Sequence, residues 1–155
     1  MVDNGFYIIS DSFFTDFPDP YLKGNKDEHR PHYFAFKDNN SGLYWMIPMS
    51  SRVDKYRFIV NKRESQKKPC DILHICKLDN GKENVFLIQD IFPISEKYIA
   101  RPYTICNNHL RLTSEAQARI VRAKATKVLG MIRRGIRFNP TQPNVLEIEK
   151  KLTSQ

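Results

Sequence analysis

One stretch constrains the fold more than any other: "GLYWMIPMSSRVDKYR", Gly42 to Arg57. From Leu43 to Met49 the apolar residues occupy both parities, so a strand here must be covered on both faces. The run stops at Ser50 and Ser51. Seven basic against two acidic side chains then follow over residues 52–68. A doubly covered strand needs neighbours, and "HYFAFK", His32 to Lys37, precedes it across "DNNSG". Two aromatic-rich runs about a short turn cluster read as a β-hairpin.

Further elements follow the same logic. "FYIIS" (Phe6–Ser10) reads as a buried strand and Ser12–Phe17 as one helical turn. The connection up to Pro31 is rich in Pro, Gly, Asp and Asn, and a connection that long is often functional. "DILHICKL" and "ENVFLIQDIF" flank Asn80-Gly81, the signature of a type I′ hairpin. "YIARPYTI" reads as a strand whose Pro102 belongs at an edge or a bulge. A helix is expected over 52–66, capped by Ser51 in a box with Asp54. A second runs over 114–134 from Thr113 or Ser114, with Gln117 completing its box. Its stripe of Val121, Ala125, Val128, Leu129 and Ile132 faces inward, and Gly135 ends it. A third covers roughly 143–152, beginning at Pro143. Five or six mainly antiparallel strands with inserted helices make an α+β fold around a small curled sheet or barrel. At 155 residues the chain is a single domain, 1–155.

Charge narrows the function. Residues 111–137 hold eight basic side chains against one acidic, while residues 1–31 hold three against six. Two basic segments that fold together make the positive surface expected for a polyphosphate ligand. The plain alternative is two solvated helix faces. No apolar run reaches membrane-spanning length, and neither end reads as a signal peptide or lipidation motif, so the expected location is cytoplasmic. Cys70, Cys76 and Cys106 lack paired spacing and read as small buried hydrophobes rather than disulfides or zinc ligands.

Metal chemistry has little support. HExxH, P-loop and GxSxG patterns are absent, and Pro31 keeps His29 and His32 of "HRPH" off a regular helix. No cofactor or metal is expected. What remains is a set of polar groups at strand ends. His32 opens one strand, and Ser50 and Ser51 close its antiparallel partner, so topology brings them together. Lys55 lies one turn beyond Ser51. A helix N-terminus with a hydroxyl, Arg52 and Lys55 suits a phosphodiester. RNA supplies its own 2′-hydroxyl, so cleavage needs a base, an acid and positive charge on the phosphorane. Ser51 as a plain helix cap is compatible with that. His74 reads as a packed strand residue, and His109 as either an RNA contact or a solvated side chain. Tyr21, Tyr33, Tyr56 and Tyr103 are candidates for base stacking.

In order along the chain, "FYIIS", "RPHYFAF", "GLYWMIPMSS", "KPCDILHICKLDNGKENVFLIQDIFPI" and the basic helix after "LTSE" resemble the ToxN/CptN/AbiQ-like toxins of bacterial type III toxin–antitoxin systems. The likeness spans Phe6 to about Lys151, with the CptN branch nearest. It implies a metal-independent, sequence-selective endoribonuclease on a partly closed β-barrel core related to MazF/Kid toxins. Such enzymes cut A-rich RNA, cellular or phage mRNA included, to a 2′,3′-cyclic phosphate. A repeat-encoded antitoxin RNA pseudoknot, processed by the toxin, would hold it inactive in a cyclic protein–RNA assembly. Family members act in phage defence by abortive infection.

The family's hydroxyl pair falls on Ser50 and Ser51 and its basic catalytic position on His32. Arg52 and Lys55 are the expected cations at the phosphate. Arg57, Lys62, Arg63, Lys67, Lys68, His109, Arg119, Arg122, Lys127, Arg133 and Arg134 are the expected RNA-binding set. The rival readings are an RNA-binding module without catalysis and a DNA-binding regulator, the latter lacking a helix-turn-helix.

Overall fold

The computed structural model describes residues 1–155. In chain order it forms β1 (Phe6–Ile9), α1 (Asp11–Asp16), β2 (His32–Lys37), β3 (Tyr44–Ser50), α2 (Val53–Ser65), β4 (His74–Lys77) and β5 (Glu83–Phe86). After these come β6 (Phe92–Ile94), β7 (Ile99–Pro102), β8 (Thr104–Ile105), β9 (Asn108–His109), α3 (Glu115–Arg133) and α4 (Val145–Thr153). The main sheet is antiparallel in the order β4-β5-β3-β2-β1-β7, with β6 also on β3, and β8–β9 is a separate hairpin. The α+β class follows directly. The sheet is open, however, so the expected partly closed barrel is not formed. Closure needs a ladder between β4 and β7; β7 ends on Pro102, which has no N–H to give, and β4 is short.

β3 lies at the centre, as its two apolar parities require. Trp45, Met46 and Ile47 are fully buried, and Pro48 and Met49 continue the run. Pro48 explains a departure from the expected strand over 83–92. It offers no N–H toward β5 and β6, the side on which its carbonyl accepts from Leu87 N–H at 2.9 Å. Opposite it the partner strand breaks into a 3-10 turn, Ile88–Asp90, before resuming as β6. The hairpin at Asn80-Gly81 also differs from expectation. Only Gly81 has positive φ (79°), Gly81 N–H bonds to Leu78 O at 2.9 Å, and Leu78 N–H bonds to Lys82 O at 3.0 Å. This is a type I turn with a following left-handed glycine, because three residues rather than two span Leu78 to Lys82.

α3 carries the expected stripe: Val121, Ala125 and Val128 are fully buried, with Leu129 and Ile132 nearly so. Each large side chain there contributes about 1.5–3 kcal/mol. Ser114 Oγ accepts from Gln117 N–H at 3.3 Å, which caps the helix. At the far end Gly135 (φ 85°) donates to Ile132 O and Ile136 to Met131 O, closing a Schellman motif. α4 begins two residues after Pro143 and is capped by Asn144, not by the proline. Cys70 is buried and Cys76 half-buried, but Cys106 is exposed in the β8–β9 turn, where it and Asn107 both take positive φ. No helix is long and apolar enough to cross a membrane.

Candidate active site

The β2–β3 register decides which side chains meet the serine pair. His32 stands opposite Pro48, and Pro31 O accepts from Met49 N–H at 3.2 Å. Continued outward, that register sets Arg30 and His29, not His32, across from Ser50 and Ser51. A cleft of about 180 Å³ opens there, lined by Lys26, His29, Arg30, Ser50, Ser51 and Tyr103 among others.

His32 does not line the cleft. It is fully buried, its ring packs edge-on against Phe92 at 5.5 Å, and neither nitrogen has a hydrogen-bond partner. Burial, with the Arg30 charge behind it, holds its pKa down at about 3; the Arg30 backbone opposes this without reaching hydrogen-bond geometry. A neutral, enclosed imidazole cannot reach a substrate. The expected meeting of His32 with the serines is therefore corrected by two residues.

The serines also exchange roles. Ser50 is buried, and its Oγ accepts from Arg52 N–H at 3.2 Å. Ser51 is exposed and caps nothing with its side chain; α2 begins at Val53, so the Ser51–Asp54 box does not form. Its hydroxyl is free in the cleft. Arg30 is anchored by an Nη1 bond to Met49 O at 2.7 Å, leaving other donors of its fork unspent. Burial lowers its pKa while Tyr56 and Asp90 support the charge. Asp90 is itself buried and pushed up to about 6, first by burial, against Lys23 and Arg30. Lys26 is lowered chiefly by Arg30, then by slight burial, Arg52 and Lys23. Two cations, Lys26 and Arg30, thus line one opening, with Lys23 and Arg52 near enough to weaken the hold of Lys26 on its proton, and an anion would relieve that repulsion. Lys55 is exposed outside this cleft, with its Nζ 5.2 Å from the Tyr56 ring centroid.

The loop that delivers Lys26, His29 and Arg30 is strained. Lys26, Asp27 and Glu28 have φ of 49°, 55° and 67°, a single left-handed turn closed by His29 N–H to Lys26 O and Arg30 N–H to Asn25 O. Left-handed backbone costs about 1–2 kcal/mol per residue outside glycine. Asn25 holds it down: it is 6% exposed and donates to Ile9 O at 2.9 Å and Asp11 Oδ1 at 2.7 Å. Strain of this kind gathers where positioning is needed. No group of three His, Cys, Asp or Glu side chains is arranged to hold a metal ion.

No family model matches the chain, and no curated protein matches it. Solved structures do. One is AbiQ, a lactococcal anti-phage endoribonuclease of the type III toxin–antitoxin system: TM-score 0.73, 11% identity, 97% of this chain and 96% of that one. The chain has the AbiQ fold. A second structure belongs to a bacterial antiviral system regulated by a processed non-coding RNA, with TM-score 0.62, 14% identity, and coverage of 97% and 98%.

On this AbiQ fold the expected RNA-binding residues divide. Arg57 pairs with Glu83 at 2.6 Å and Lys127 with Asp71 at 2.8 Å, while Arg133 holds both oxygens of Glu149 at 2.8 Å. Arg122 reaches Asn4 Oδ1 at 3.4 Å. Arg63 is half-buried; Lys62, Lys67, Lys68, Arg119 and Arg134 are exposed. His109 is neither solvated nor free. Its ring packs on Tyr7 and its Nε2 lies 2.9 Å from Phe6 O, which leaves little of it for RNA. His29, Arg30 and Lys26 line the cleft but are not among the candidate residues expected from sequence, although "HRPH" and the hairpin register were signals that could have pointed to His29 and Arg30.

Proposed function

We propose that this chain is the endoribonuclease toxin of a type III toxin–antitoxin system. The observation that carries the reading is the strand-end cleft where Lys26, His29, Arg30, Ser50 and Ser51 converge, on a fold shared end to end with an endoribonuclease.

The chemistry follows from the groups present. His29 takes the proton of a ribose 2′-hydroxyl. The 2′-oxygen attacks the adjacent phosphorus, the bond to the 5′-oxygen breaks, and that oxygen takes a proton from Lys26. Lys26 suits the acid role because Arg30, Arg52 and Lys23 make its proton easier to lose. Arg30 and the Ser51 hydroxyl donate to the phosphorane oxygens, Ser50 orients the Arg52 backbone beside them, and Tyr103 offers a ring for a flanking base. The products are a 2′,3′-cyclic phosphate and a 5′-hydroxyl, and the route asks for no metal ion. The A-rich target preference, the processing of a repeat-encoded pseudoknot RNA that then inhibits the toxin, the cyclic assembly with that RNA and a role in phage defence belong to the same reading.

The test is expression in a bacterium beside Ser51→Ala and Arg30→Gln. Wild type should arrest growth; each variant should lose about 10²–10³ in cleavage rate, the usual cost of one phosphorane donor, and permit growth. Fully toxic variants would move the site elsewhere, and a harmless wild type would remove the enzyme.

A further inference from the structure

A second cleft, apart from the strand-end site, lies between α2 and α3. Its volume is about 430 Å³, inside the ~300–1,000 Å³ range of small-molecule sites. α2 contributes Val60 and Asn61, the segment entering β4 contributes Leu73 and His74, and α3 contributes Lys124.

Its polar groups are ordered without a ligand. Lys124 Nζ donates to Leu73 O at 3.0 Å and lies 3.3 Å from His74 Nδ1, while Gln117 Oε1 lies 2.6 Å from His74 Nε2. An ammonium has no lone pair, so Nδ1 accepts and Nε2 carries the proton to Gln117. His74 is therefore neutral, as burial also favours. Two of the three Lys124 donors are spent, and one is left for the cleft.

The charge pattern separates the inside from the lip. Arg57 and Asp71 line the cleft but are neutralised by Glu83 and Lys127, and the exposed Glu64 carboxylate in the same wall offsets the charge of Lys124. The interior does not suit a phosphate. At the lip, exposed Lys67 and Lys68 run directly into Pro69 and Cys70 of the wall. A nucleotide has the same polarity: a nearly neutral heterocycle and an anionic backbone. Asn61 adds an amide with donor and acceptor side by side, the pattern that pairs with a base edge.

We infer that this cleft takes one unstacked base of bound RNA, its edge on Asn61 and Lys124 and its face on the half-buried Val60 and Ile75, while the backbone phosphates follow Lys67 and Lys68. The inference rests on the RNA reading above.

The probe is a mixed-sequence oligoribonucleotide, 2′-O-methylated to resist cleavage, carrying one abasic site at each position in turn. Affinity is measured for wild type, Asn61→Ala and Lys124→Met. At one position, loss of the base should weaken wild-type binding about tenfold, the scale of one side-chain amide paired with a base edge. The same abasic site should change binding to Asn61→Ala less than twofold, because that variant has already lost the contact. Asn61 is exposed, so its removal leaves the fold intact even if Lys124→Met loosens it. A scan in which no position couples to Asn61 overturns the base site. Cleavage of unmodified RNA by the same wild-type protein separates the two claims: a protein that cleaves yet has no coupled position lacks only the base site, whereas one that neither binds nor cleaves fails the RNA reading and the base site with it.

Discussion

At the residue scale the two histidines of "HRPH" have opposite fates. His29 is exposed in a cleft of cations, and His32 is enclosed with both ring nitrogens unpartnered. If His29 moves the proton, His29→Gln should lower the cleavage rate by about 10²–10⁴, the usual contribution of a general base. His32→Leu should keep the rate within tenfold of wild type, because the leucine replaces a group that touches no substrate. Single-turnover cleavage of one RNA by both variants decides between them; the reverse ranking would return His32 to the chemistry. Adjacency of the two strand ends was legible from sequence, but the register was not: His32 pairs with Pro48, two positions short of Ser50, which leaves its ring in the core and sets Arg30 and His29 beside the serines.

At the element scale, β2 and the 3-10 turn after β5 bring two perturbed groups, His32 and Asp90, into the same interior. Their effects on stability have opposite signs. His32 has a folded pKa of about 3 against 6.5 unfolded. Its contribution is complete above about 6.5 and is lost as pH falls toward 3, because the unfolded chain takes up a proton that the folded one refuses. Asp90 has a folded pKa of about 6 against 3.8. Its contribution is complete below about 3.8 and is lost as pH rises through 6. Each slope is about 1.4 kcal/mol per pH unit, so between about pH 6 and 4 the two offset. His32→Leu removes one side of that balance. Relative to wild type, the variant should gain stability steadily as pH falls from 6 to 4, measured by urea unfolding at each pH. A constant difference between the two proteins would mean that His32 titrates normally.

Most elements were legible because their signals are local. The α3 stripe, its Ser114 cap and its Gly135 stop come from spacing within one turn or two. The break of the strand over 83–92 was not, since its cause, Pro48, lies on a neighbouring strand and acts only once the two are paired. The same holds for α2: Arg52 is its N-cap with no side-chain cap, and the serine that bonds nearby is Ser50, to Arg52 N–H, not Ser51.

At the scale of the whole molecule, the basic segments do fold onto the two helices that flank one groove, but the charge is not spread evenly. Arg57, Lys127 and Arg133 are tied to Glu83, Asp71 and Glu149. Of the basic segments, Lys62, Lys67 and Lys68 stay exposed at and beyond the α2 C-terminal end, and Arg119 and Arg134 on and just after α3. Formal charge could be counted from the sequence, whereas this partition needed the fold, because each pairing joins residues far apart in the chain. The open sheet has the same origin. Strand number and antiparallel order were readable, but closure depends on whether the last edges can pair.

The central claim is that the cleft at Ser51 and Arg30 cuts RNA with the RNA's own 2′-hydroxyl. Its most direct measurement is the chemistry of the ends. Purified protein is incubated with a defined RNA in excess chelator, and the fragments are resolved by mass. Fragments carrying 2′,3′-cyclic phosphate and 5′-hydroxyl ends, formed about 10²–10³-fold more slowly by Ser51→Ala and absent with RNA bearing a 2′-O-methyl at the cut position, are the expected result. Intact RNA, or fragments ending in a 5′-phosphate, would contradict it.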